Sequence, residues 1–243
     1  MTTDNKENNS RGQTQTAGLT PGLLQPPRTL FPITRHLSYR LTPILLRFPI
    51  TPNQVTFASL VCGVTGGLCF GFGRWGWNVI GALLMVLAFT LDNCDGEIAR
   101  AKHLYSPFGA KLDDFSDSLI DAVFFGMLGL GTTAVTGEKI WLWLGLATVF
   151  GTALDYILLL LRGRCEDKTR DVRHEQAKNP KQPGSRLDWF LFLFQEMSHA
   201  EFCNIVLILA LLDYAWVLLP LGAIGAQVYW IMALFPRARG FHV

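Results

Sequence analysis

The stretch Leu91–Asp121, LDNCDGEIARAKHLYSPFGAKLDDFSDSLID, decides how this chain is read. It carries seven carboxylates: Asp92, Asp95, Glu97, Asp113, Asp114, Asp117 and Asp121. On either side lie apolar runs, GALLMVLAFT at 81–90 and AVFFGMLGLGTTAV at 122–135. Such runs suit lipid, and charge at their ends is expensive there unless something compensates it. Asp92 and Asp95 are three positions apart, and Asp113, Asp117 and Asp121 are spaced by four. Each set therefore shares one helix face. A hairpin turning near Pro107 and Gly109 would bring the two acidic faces together. Divalent metal is the natural compensation, because Mg²⁺ takes carboxylates, water and substrate phosphates.

The rest of the chain supports a membrane reading. Half of its 243 residues are hydrophobic and 16% are charged, whereas a soluble domain carries about 25% charged residues. Six apolar runs, near 53–73, 77–99, 112–134, 139–161, 189–211 and 214–235, each reach the ~20 residues that a bilayer core demands of a helix. The expected fold is an all-α integral membrane protein with six transmembrane helices preceded by an interfacial amphipathic helix. Residues 1–27 are polar, lack a secretory h-region, and are expected to form a disordered cytoplasmic tail. Residues 28–50 are expected to form the interfacial segment. In it Leu37, Leu41, Ile44 and Leu45 recur at helical spacing among Arg35, Arg40 and Arg47, a pattern suited to the membrane surface. Pro43 argues against one straight helix there unless a new helix starts at it. Residues 51–236 then form the six-helix domain, and 237–243 a cytoplasmic C-terminal tail.

Basic residues set the orientation. With the N-terminus cytoplasmic, 19 Lys and Arg fall inside and only Arg74 and Lys139 outside, a strong positive-inside bias. The acidic cluster then lies at the cytoplasmic ends of the second and third spans. No Gly-rich phosphate loop, zinc signature or nucleophile elbow is present. Cys62, Cys69, Cys94, Cys165 and Cys203 form no CxxC pair and read as small apolar residues. The glycines of GVTGG at 63–67 read as helix-packing positions.

The acidic residues also stand in a fixed pattern: Asp92-x2-Asp95-Gly96-x2-Ala99-Arg100-x8-Gly109-x3-Asp113-x3-Asp117. This resembles the complete signature of the CDP-alcohol phosphotransferase family. The likeness extends to the six-span layout, the interfacial helix, and TPNQVT at 51–56. The resemblance implies transfer of a substituted phosphoryl group from a CDP-alcohol, such as CDP-diacylglycerol, to an acceptor alcohol, with release of CMP. It implies a metal pair, Mg²⁺ or Mn²⁺, on Asp92, Asp95, Asp113 and Asp117, with Asp117 also the general base. Gly96 and Ala99 would leave room for the nucleotide, Arg100 would face its phosphates, and Gly109 would belong to the same pocket. It further implies a homodimer among membrane lipids, with no nucleic acid beyond the cytidine nucleotide.

Outside the signature, Asp121 continues the Asp113–Asp117 face one turn deeper. With Glu196, His199, Arg162 and Arg164 it is a candidate for the acceptor pocket. Glu97, at a variable position, and Asp114 are expected at the surface. Asp155 is a charge inside the fourth run, and Asn53 and Thr56 either reach the site or cap the first span. Three alternatives compete: headgroup transfer from CDP-choline or CDP-ethanolamine to a lipid alcohol, a cation channel or transporter using the same carboxylates, and a catalytically dead scaffold of the same fold, against which the intact aspartates argue.

Overall fold

A computed structural model describes residues 33–166 and 202–234, and every regular element among them is helical. In chain order these are α1 (Ile33–Leu45), α2 (Pro52–Phe70), α3 (Trp75–Lys102), α4 (Pro107–Thr136), α5 (Ile140–Glu166) and α6 (Phe202–Leu211). A single 3₁₀ turn, Ala215–Val217, then leads into α7 (Leu218–Leu234). Four helices, α2 to α5, are long and apolar enough to cross a membrane. The described parts of the fifth and sixth apolar runs are shorter, at Phe202–Leu211 and Ala215–Ile231.

Local chemistry sets the boundaries that matter for the acidic cluster. Pro52 follows Thr51 at the start of α2, and the Thr51 N–H donates to Gln54 Oε1 at 3.0 Å. Proline suits this place because its missing N–H would have no helical partner. The same device opens α4: Ser106 accepts from the Gly109 N–H at 2.9 Å, and Pro107 follows it. Between them α3 ends at His103, which adopts a left-handed conformation with φ 54°. The sharp turn from 103 to 106 is the hairpin expected from the sequence. α1 runs unbroken through Pro43. The proline falls in its last turn, and the helix ends two residues later at Leu45.

α2 packs against both α3 and α4, α4 against α5, α5 against α7, and α6 against α3. Close approach is built on glycine. A Cβ on Gly66 would sit 2.8 Å from the Gly81 carbonyl oxygen, and one on Gly81 only 2.6 Å from that of Gly66. Gly129 and Gly145 bring α4 and α5 together in the same way. These are the small-residue contacts by which helices associate in lipid. The buried centre contains Phe70, Met85, Phe124 and Leu128, with Phe70 and Phe124 edge to face at 4.9 Å. Phe202 of α6 meets both Phe124 and Phe125. Large apolar side chains such as Phe57, Leu83, Trp143 and Phe150 face outward, as lipid-exposed helices require.

Candidate metal centre and adjoining cavity

The hairpin between α3 and α4 brings Asp92, Asp95 and Asp113 together, each offering an oxygen within 4.8 Å of the others. Asp95 is buried, and Asp92 and Asp113 are half-buried. Asp113 Oδ1 is buried without a hydrogen-bond partner among the described residues. Three carboxylates held this close repel one another strongly away from bulk water. Three clustered carboxylates, one of them with an unpartnered buried oxygen, match the donor set of a hard divalent cation. The residues therefore fit Mg²⁺ or Mn²⁺.

Asp117 stands one turn beyond Asp113 and outside this tight group. It lines a cavity of about 470 Å³ together with Asp92 and Asp121. The carboxylates occupy one part of the wall. Ser59, Thr148, Thr152 and Tyr229 add hydroxyls, and the remainder is largely apolar, from Phe89, Phe125, Phe202 and Leu218 among others. The four hydroxyl residues have no counterpart in the sequence reading, because single Ser, Thr and Tyr residues in apolar helices carry no spacing signal.

Thr56 belongs to the site. Its buried hydroxyl donates to Asp95 Oδ2 and also lies 3.2 Å from the Pro52 carbonyl. An outer partner of this kind fixes a ligating carboxylate's orientation. Asn53 sits beside Gly109, where a Cβ would meet Asn53 Oδ1 at 2.8 Å and Ser106 Oγ at 2.9 Å. Gly109 thus lets the start of α2 close upon the start of α4. Gly96 is different: a Cβ there would meet only the Arg100 guanidinium, at 3.5 Å. The exposed Arg100 side chain folds over an open glycine surface. Ala99, the remaining small residue of the pattern, is half-buried.

Glu97 corrects the sequence expectation. It is half-buried, not at the surface, and its Oε1 accepts from Ser38 Oγ at 3.0 Å. Its position on α3 faces α1, a neighbour that the α3 sequence does not reveal. The missed signal lay in α1, where Thr34, Ser38 and Thr42 repeat every four residues and are all buried. Asp114 is exposed as expected. Asp155 is half-buried on α5 and is not part of the cavity wall. Arg162 and Arg164 fall in the last turns of α5. Glu196 and His199 lie outside the described residues.

A family model described as CDP-alcohol phosphatidyltransferase matches residues 49–234. The chain belongs to that family. A bifunctional IPC transferase and DIPP synthase of Thermococcus kodakarensis is 28% identical over 142 residues, which cover 58% of this chain and 31% of that relative. A phosphatidylinositol phosphate synthase of Cutibacterium acnes is 33% identical over 115 residues, covering 46% of this chain and 54% of that relative. The chain thus spans less than a third of the first and about half of the second. The crystal structure of Mycobacterium tuberculosis phosphatidylinositol phosphate synthase with CDP-DAG bound shares the fold at TM-score 0.52. That match has 19% identity and covers 86% of this chain and 99% of the other.

Proposed function

We propose that this protein is a membrane transferase that moves a substituted phosphoryl group from a CDP-alcohol to an acceptor alcohol and releases CMP, in phospholipid biosynthesis. The observation that carries the reading is the Asp92–Asp95–Asp113 cluster within 4.8 Å, with Asp92 also lining the cavity that holds Asp117 and Asp121. Asp92, Asp95, Asp113 and Asp117 would hold Mg²⁺ or Mn²⁺, two ions in the full site. When bound, the metal neutralises charge on the pyrophosphate and on the departing CMP. Arg100 adds a guanidinium to the same phosphates, and the open surface of Gly96 admits the nucleotide. Asp117 takes the acceptor's hydroxyl proton. The acceptor oxygen then forms the new P–O bond as the bond to CMP breaks. Asp121, one turn deeper, orients the acceptor.

The largely apolar cavity wall supports a lipid as one of the two substrates. CDP-diacylglycerol is the favoured donor, in keeping with family membership. Headgroup transfer from CDP-choline or CDP-ethanolamine to a lipid alcohol uses the same chemistry, with the lipid on the acceptor instead of the donor. A cation channel or transporter would explain the carboxylates but gives no role to the Arg100–Gly96 arrangement. In the full architecture, six helices span the bilayer, α1 lies at the membrane surface, both termini and the active site are cytoplasmic, and the protein is a homodimer. A cysteine at position 185 should be labelled only from the cytoplasm; labelling from outside would overturn this orientation.

The deciding assay uses purified protein with Mg²⁺. CDP-diacylglycerol is offered with inositol, serine, glycerol-3-phosphate or inositol phosphate, and CDP-choline or CDP-ethanolamine with diacylglycerol. Metal-dependent CMP release with any pair supports the transferase, and the productive pair names the substrates. No CMP from any pair would sink the reading. Turnover with a phosphorylated acceptor that is lost in Arg162→Ala or Arg164→Ala would assign those arginines to the acceptor's phosphate.

A further inference from the structure

We propose that Glu97 is a positioning residue that ties α1 to the metal-bearing end of α3, so that the docked α1 sets the geometry of the cluster. The inference rests on the metal reading above and goes beyond the signature residues. α3 has 28 residues, so at ~1.5 Å per residue it is about 42 Å long. A hydrocarbon core is only about 30 Å thick. At an ordinary tilt of about 20° it still exceeds the core, so one end projects, and the polar end carries Asp95, Glu97, Arg100 and Lys102. A projecting helix end loses its order unless neighbours hold it.

Two sets of contacts hold this end. From one side comes α2, through Thr56 on Asp95 and through Val55 packed with Cys94 and Ile98. From another side comes α1. Leu41 and Leu45 cover the Val55–Cys94–Ile98 cluster. Lys102 Nζ donates to the carbonyls of Phe48, at 3.1 Å, and Ile50, at 2.8 Å, in the segment joining α1 to α2. The Cys94 thiol lies 3.9 Å from the Ser38 carbonyl. Ser38 Oγ is 3.0 Å from Glu97 Oε1 and 3.1 Å from the Arg35 carbonyl. The carboxylate is the stronger acceptor of the two.

The way α1 docks gives this contact its meaning. Thr34, Ser38 and Thr42 are 3%, 0% and 0% exposed, while Ile33, Leu37 and Ile44 are 43%, 41% and 51% exposed. An amphipathic helix on a soluble core does the opposite. Here Ile33, Leu37 and Ile44 are left exposed, while the hydroxyl seam, flanked by Leu41 and Leu45, faces protein. Leu41 and Leu45 alone are a small apolar contact for a helix of this length, so the Ser38–Glu97 pair adds to what fixes the rotation of α1 on α3. Glu97 is also a poor choice for stability alone. Its Oε2 is buried with no partner among the described residues, and a buried polar atom left unsatisfied costs stability. A carboxylate that costs stability yet selects one register is a positioning device. Glu97 lies two residues from Asp95 and three from Arg100, so a turn or slide of this helix end moves both.

The test measures Mn²⁺ binding by electron paramagnetic resonance, and melting temperature, on the purified full chain. Glu97→Leu and Ser38→Ala are each expected to weaken Mn²⁺ binding roughly tenfold, the lower end for loss of a metal site's outer supports. Glu97→Leu should melt no lower than the parent. Glu97→Gln, which keeps an acceptor for Ser38, should bind Mn²⁺ like the parent. A folded Glu97→Leu protein with parental Mn²⁺ affinity would overturn the proposal. If Glu97→Leu does not fold, parental affinity in Ser38→Ala overturns it instead. A parent protein that binds no Mn²⁺ defeats the metal reading itself, an outcome distinct from a metal-binding parent matched by its variants.

Discussion

Two regions of this molecule are joined by different means. At the Gly66–Gly81 crossing, α2 meets α3 through backbone, with each glycine's missing Cβ replaced by the other's carbonyl. At the acidic end, the same two helices meet through side chains, Thr56 on Asp95, with Ser38 of α1 on Glu97. Lipid supplies no hydrophobic drive between helices, so deep contacts depend on close van der Waals fit. Near the membrane surface, fit alone does not hold three mutually repelling carboxylates in place. There the Thr56 hydroxyl orients Asp95, and Ser38 holds Glu97 two residues along. The two regions should therefore respond differently to substitution: the crossing through stability, the acidic end through metal affinity and turnover.

The largest effect should come from chelation. Exhaustive EDTA treatment should abolish CMP release while leaving the helical circular dichroism intact, and Mg²⁺ or Mn²⁺ should restore activity. Undiminished turnover would remove the metal from the acidic end altogether. Next, Asp117→Asn should lower turnover by at least ~10²-fold, the lower range for loss of a general base, without lowering the melting temperature. Near-normal turnover would show that Asp117 does no proton transfer.

Thr56→Val keeps the shape of the side chain but removes its hydroxyl. Mn²⁺ titration should show roughly tenfold weaker binding, as for other partners of ligating groups, with Thr56→Ser close to the parent. Equal affinity in Thr56→Val would reduce Thr56 to packing. Gly81→Leu tests the other region. Its Cβ would lie 2.6 Å from the Gly66 carbonyl oxygen, and overpacking of this kind costs about 1–3 kcal/mol. Thermal melting should fall, while the protein that remains folded should bind Mn²⁺ normally. A Gly81→Leu protein that melts normally but binds metal poorly would reverse the comparison. The smallest effect is expected from Asp114→Asn. This residue is exposed and outside the tight carboxylate group, so CMP release should be unchanged.

The sequence by itself determined the four long apolar helices, the hairpin between α3 and α4, and the acidic faces on both sides of it. Those features are local. Apolar length, proline at helix starts, and carboxylates three or four residues apart all act within one helix or one turn, so spacing reveals them. The glycines of 63–67 were legible as packing positions for the same reason. Only the tertiary structure decided which carboxylates meet. It put Asp113 with Asp92 and Asp95, and left Asp117 on the cavity wall beside Asp92 and Asp121. It also decided that Glu97 turns toward α1 and that Thr56 reaches Asp95. Ser59, Thr148, Thr152 and Tyr229 come from α2, α5 and α7, and join one cavity only after those helices pack. Such contacts depend on the rotation of each helix about its axis. That rotation is fixed by all of a helix's neighbours at once, and no single helix's sequence contains it.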